Sequence, residues 1–178
     1  MRGTFLIIAI LPALLFGQAG TQKDDVWAPL RFIVGAWEGS ASSHSIEGRA
    51  TCEGRFLFNG AFLQLESKDV FAPREEMPQG LTHEDIGIFS YDRERKTLVL
   101  RQFHCEGFVN QYVLDSLSTG GTTIAFISER LENFPPGWRA KVQFEIFNDN
   151  EFVELYKLAP PEGELEVYSE SHLTRKDR

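Results

Sequence analysis

Residues 138–159 read WRAKVQFEIFNDNEFVELYKLA. Ala140, Val142, Phe144 and Ile146 share one parity, and Lys141, Gln143 and Glu145 share the other. That is the period-2 pattern of a strand with one apolar and one wet face. Asn148, Asp149 and Asn150 follow as a tight turn, and a second aromatic and aliphatic run resumes at Phe152. Two strands joined by so short a link lie antiparallel.

The same rhythm extends in both directions. Strands are predicted at 35–42, 48–58, 61–71, 85–91, 97–106, 108–117, 122–130, 138–147, 152–159 and 165–173, about ten in all. Turn-forming links separate them, among them Asn59-Gly60, Ser118-Thr119-Gly120-Gly121 and Pro160-Pro161-Glu162-Gly163. A ten-strand meander leaves two unpaired edges unless it closes on itself. The expected fold is therefore all-β: a closed antiparallel up-and-down barrel, preceded by a short helical segment interrupted at Pro29. The longest stretch outside the predicted strands, 72–84 (APREEMPQGLTHE), is the candidate lid or rim loop.

Residues 1–19 read as a cleavable leader, with Arg2 at the positive end, an apolar core from Phe5 to Phe16 and a small-residue exit at Ala19. The apolar run is shorter than the roughly 20 residues of a spanning helix. Export to the periplasm or the extracellular space is the expectation, with 20–178 as a single domain and no stable membrane insertion after cleavage. Cleavage removes one base and no acid, leaving 17 basic against 26 acidic side chains, a formal charge of −9. Such a surface repels nucleic acid and anionic lipid, so neither is expected as a partner.

The middle of the chain, LVLRQFHCEGFVNQYVL, breaks the alternation because it carries polar groups on both parities. Gln102, His104, Glu106, Asn110 and Tyr112 form one set, and Arg101, Phe103, Cys105, Val109 and Val113 the other. If the first set faces solvent, Arg101 points into the barrel and needs an anion. If the first set faces inward, the lumen is lined with groups that can orient a ligand. The expected ligand-binding residues are Arg101, Phe103, His104, Glu106, Asn110, Tyr112 and Arg139, with Arg101 a partner for a ligand carboxylate and Phe56, Phe58, Phe144 and Ile146 as further apolar wall. The expected partner is a small hydrophobic or amphipathic molecule. His44, His83, His104 and His172 show no paired metal-ligand spacing, and no catalytic motif is present. The sequence favours a binding protein over an enzyme, keeps a structural or interaction module with a vestigial cavity as an alternative, and leaves the oligomeric state open.

Gly35-Ala36-Trp37, within FIVGAWEGS at 32–40, resembles the Gly-x-Trp that opens the first strand of the calycin superfamily, the lipocalins and fatty-acid-binding proteins. The resemblance implies that Trp37 closes one barrel end against a basic residue near the end of the domain, for which Arg175 is the match. FIVGAWEGS, HEDIGIFSYD, ERLENFPPGWRA and ESHLTRK together look like the nitrobindin-like, or heme-binding, β-barrel group. That likeness implies heme b held by a C-terminal histidine, here His172, and peroxynitrite-isomerase-like chemistry if heme is bound. The parity of His172 sets it with Glu166 and Glu170 on the face read as solvent-exposed. Cys52 in the second strand and Cys105 in the fifth are not neighbours around such a barrel, which favours two free, inward or buried thiols over a bridge.

Overall fold

The alternating runs pair in chain order and close. A computed structural model of the chain describes residues 25–176; the predicted leader lies outside them. A 3-10 turn (Ala28–Ile33) precedes ten strands: β1 (Gly35–Ser43), β2 (Ile46–Leu57), β3 (Phe62–Phe71), β4 (Leu81–Asp92), β5 (Thr97–His104), β6 (Val109–Leu117), β7 (Thr123–Glu132), β8 (Arg139–Asn148), β9 (Glu151–Ala159) and β10 (Glu166–Arg175). Each strand pairs antiparallel with the next, and β10 returns to β1 to close the barrel.

An up-and-down meander sends alternate connections to opposite ends. The links β2–β3, β4–β5, β6–β7 and β8–β9 gather at one end with the 3-10 turn, and the other five hairpins gather at the opposite end. The first end is sealed by apolar packing. Leu30 and Ile33 of the 3-10 turn are fully buried, and the Phe32 ring meets Phe152 edge-on at 5.2 Å. Trp37 packs on Phe152 at 4.7 Å and donates from its indole Nε1 to the Ile33 carbonyl at 3.0 Å. Gly54 permits this seat, because a Cβ there would collide with the Ile33 carbonyl oxygen. Phe89, Phe126 and Phe144 complete the floor.

Arg175 fastens the floor from outside. Its guanidinium lies 4.1 Å from the centroid of the Trp37 ring and donates to the carbonyls of Val34 (2.9 Å), Phe32 (3.2 Å) and Asp149 (2.8 Å). Gly35, at φ +120°, leaves room for it, since a Cβ would stand 2.6 Å from Arg175 Nη1.

Three differences from the sequence expectation bear on the site. β4 begins at Leu81, so the irregular rim segment shortens to 72–80 and is pinned by paired backbone hydrogen bonds between Arg74 and Met77. Both cysteines are free, but only Cys52 is buried; Cys105 is exposed in the β5–β6 hairpin rather than inward. Phe58, expected in the wall, is 79% exposed in the β2–β3 link.

Candidate functional site

Above the aromatic floor the barrel is hollow. A cavity of about 600 Å³ opens between the five hairpins of the unsealed end. Its upper wall is apolar: Phe71, Leu81, Leu158 and the trio Phe108, Phe134 and Trp138. Within the trio, Phe134 meets Phe108 at 5.1 Å and Trp138 at 5.7 Å, both edge-on.

The lower wall is polar, because inward positions that elsewhere carry Leu or Phe here carry acids, amides and imidazoles. On β4, His83 and Asp85 share the inward parity with Phe89. On β5, Gln102 and His104 point in, and Asp85 stands opposite His104 in the ladder. β3 contributes Asp69, β2 Cys52, and β9 Glu154 and Tyr156. Among the described residues no lysine or arginine lines this cavity.

The polar groups are joined to one another. His83 Nδ1 donates to Glu106 Oε1 at 2.8 Å, while its Nε2 lies 3.8 Å from Asp85 Oδ2. Gln102 Nε2 donates to Asp85 Oδ1 at 3.3 Å, and the buried Gln102 Oε1 has no partner. Asn110 Nδ2 lies 3.0 Å from both His104 Nε2 and the Tyr112 hydroxyl, and 3.5 Å from the Tyr156 hydroxyl. Three neighbours exceed its two hydrogens, and Asn110 Oδ1 has none. Turned over, the amide would accept from the tyrosines and leave its NH₂ unpaired instead. In either orientation one polar atom of this fully buried residue is unpaired.

Burial without a lysine or arginine beside them shifts these acids upward. Asp85 is pushed up to about 7, chiefly by desolvation, which the nearby His83 partly offsets. Glu154 is pushed up to about 8 by desolvation and by the charges of Asp85 and Asp69. Desolvation also raises Asp69, whose carboxylate is bonded to Ser171. Burial and the neighbouring His83 lower His104 to about 4, so it is a neutral imidazole at pH 7. The Tyr156 phenol is raised to about 12 by the same loss of water.

Of the residues predicted from sequence, the structure gathers His104, Glu106, Asn110 and Tyr112 around the lumen. Arg101, Phe103 and Arg139 belong to the outer surface. Arg101 is exposed and donates to Gln111 Oε1 at 3.1 Å, so it is not aimed at a ligand carboxylate. Phe103 is 47% exposed and borders a second, more open hollow with Glu66, Lys68, Glu84 and Ile86. Arg139 is exposed and donates to the Gly163 carbonyl. The lumen-facing parity thus belongs to the set containing Gln102 and Tyr112, which leaves Arg101 in water and avoids a buried unpaired cation.

Asp69, His83, Asp85, Glu154 and Tyr156 went unpredicted. The signal was present as parity, since Glu154 and Tyr156 alternate with Phe152 and Leu158 on one face of β9.

The sequence matches no family model and no curated protein. The crystal structure of Rv2717c from M. tuberculosis is similar to it in fold, with a TM-score of 0.65 and 14% identity over 86% of this chain and 98% of that chain. The likeness is one of fold alone. An axial role for His172 does not fit this geometry. Its side chain is on the outer face of β10, with Nε2 2.8 Å from Glu151 Oε1, across the barrel wall from the cavity.

Proposed function

We propose that this chain is an exported binding barrel that holds a small amphipathic molecule in its lumen, apolar body against the rim and hydrogen-bond-donating head toward the floor. The observation that carries the reading is the cavity of about 600 Å³, with aromatic and aliphatic side chains at its mouth and, below, acids and Gln102, whose Oε1 is unpaired, with no lysine or arginine in the lining. Ligand sites have this form, an apolar enclosure with a few convergent polar groups. The absence of a lysine or arginine from the floor selects the head group. A carboxylate would meet Asp69, Asp85 and Glu154, whereas an amine or a hydroxyl donates to them.

The reading is tested by thermal shift with matched ligands that differ only in the head, a medium-chain alkylamine and the fatty acid of equal length, alongside mass spectrometry of molecules extracted from the purified protein. A ligand that binds the folded state alone raises the melting temperature by mass action. The amine should raise it and the acid should not. Equal shifts, or none with an empty extract, would overturn the proposal.

A further inference from the structure

The lumen wall formed by β4 and β5 carries a group of side chains that hydrogen bonding within the protein does not exhaust. His83 and Asp85 are two residues apart on one strand and so face the same way; His104 is the cross-strand neighbour of Asp85. The donor atoms of these three residues all lie within 4.8 Å of one another. We propose that His83, Asp85 and His104 form a binding site for a first-row divalent transition metal ion, with its open coordination positions facing the cavity. This goes beyond the amphipathic ligand above, whose head group Glu154 on β9, across the lumen from β4, can take; Asp69, the ladder neighbour of His83 on β3, borders the metal site instead.

The surroundings are arranged as a metal site requires. A ligating imidazole characteristically donates its second ring N–H to a carboxylate, which fixes the tautomer and aims the other nitrogen at the ion. His83 does this: Nδ1 is held by Glu106 at 2.8 Å, and Nε2 is turned toward Asp85 Oδ2 at 3.8 Å. Zinc binds such nitrogen and oxygen atoms at about 2.1 Å each, so one ion can bridge that gap. Asp85 is oriented from behind by Gln102 Nε2 on Oδ1, which leaves Oδ2 available. Asn110 meets His104 at Nε2; with the amide turned over, its Oδ1 accepts from Nε2–H and leaves Nδ1 unprotonated as the ligating nitrogen.

The unpartnered Gln102 Oε1, on a residue 5% exposed, lines the same cavity and can accept from water bound to the ion. Two imidazoles and one carboxylate suit Zn²⁺, Fe²⁺ or Co²⁺ better than the oxygen-seeking Ca²⁺ or Mg²⁺. A second grouping, His83 with Cys105 and Glu106, shares one of these residues at the exposed rim, so the test must separate the two.

The full chain, stripped with chelator, is titrated with Zn²⁺ by calorimetry and with Co²⁺ by visible absorption. The expected result is one ion per chain, and at least a tenfold loss of affinity in each of His83→Ala, Asp85→Asn and His104→Ala. Cys105→Ser and His172→Ala should bind as the parent does. Melting curves without metal report whether each variant folds. Asp85→Asn keeps the size and shape of the side chain, so it decides if either alanine variant is unfolded. Absence of stoichiometric binding, unchanged affinity in Asp85→Asn, or loss in Cys105→Ser with retention in His104→Ala would each overturn the site. None of these results bears on whether the alkylamine shifts the melting temperature.

Discussion

Arg175 lies across the indole of Trp37, its guanidinium carbon 4.1 Å from the ring centroid, while the same group takes up the carbonyls of Phe32, Val34 and Asp149. One side chain from the last strand therefore joins the first strand, the 3-10 turn and the β8–β9 turn. Arg175→Ala removes the stacking and strands several carbonyls, and is expected to cost about 2–4 kcal/mol in denaturant unfolding. Arg175→Lys should recover less than half, because an ammonium lacks the planar fork that reaches carbonyls in different directions. A loss below about 0.5 kcal/mol in the alanine variant would show that the floor holds without this clamp.

The seat of the 3-10 turn depends on a missing side chain. Gly54→Ala places a methyl group into the Ile33 carbonyl, and the barrel floor must shift or the turn must lift. A destabilisation of about 2–4 kcal/mol is expected, together with changed Trp fluorescence as Trp27 and Trp37 lose their packing. An unchanged melting temperature would contradict the close approach.

Glu154 sets a pH dependence. Its folded value, about 8, lies above the ordinary 4.5, so the folded chain holds this proton more tightly than the unfolded one. Its contribution to stability is complete below about pH 4.5 and is lost as the pH rises through about 8. With chelator present, Glu154→Gln should leave stability at pH 5 nearly unchanged and raise it at pH 9 by about 1–3 kcal/mol, less than a fully dry site would give because the residue borders the open cavity. Parallel curves for parent and variant across that range would refute the assignment.

At the mouth, Trp138 is the largest member of the aromatic trio. Trp138→Ala is expected to weaken alkylamine binding about five- to thirtyfold, from lost apolar contact of about 1–2 kcal/mol. Arg101→Ala and Arg139→Ala should leave that affinity unaltered, since both side chains project from the outer surface. Reversal of this order in a calorimetric titration would place the ligand outside the lumen.

The barrel was legible in the sequence wherever its interior is apolar. In β8, Ala140, Val142, Phe144 and Ile146 alternate without interruption, and the strand follows its predicted span to within a residue at each end. Where the interior turns polar, the same rule loses its signal. The start of β4, LTHED, carries no apolar inward residue between Leu81 and Gly87, so its first four residues read as loop. The parity of β5 was ambiguous for the same reason, because Arg101 and Gln102 are both polar, and only the neighbours across the sheet distinguish them. The grouping of His83, Asp85 and His104 spans a hairpin and shows itself only when Asp85 meets His104 across the ladder. The elements that hide from hydrophobic periodicity are thus the ones that build the candidate site.

Among the described residues the barrel is sealed at the Trp37 end and its lumen opens between the five hairpins. Whatever enters between the five hairpins must leave by the same route, so an occupant excludes its successor until it departs. For the proposed ligand, turnover would then be governed by departure, with delivery and collection both at the same rim. On the proposed function, traffic would be an exchange at one face and not a passage from one side to the other.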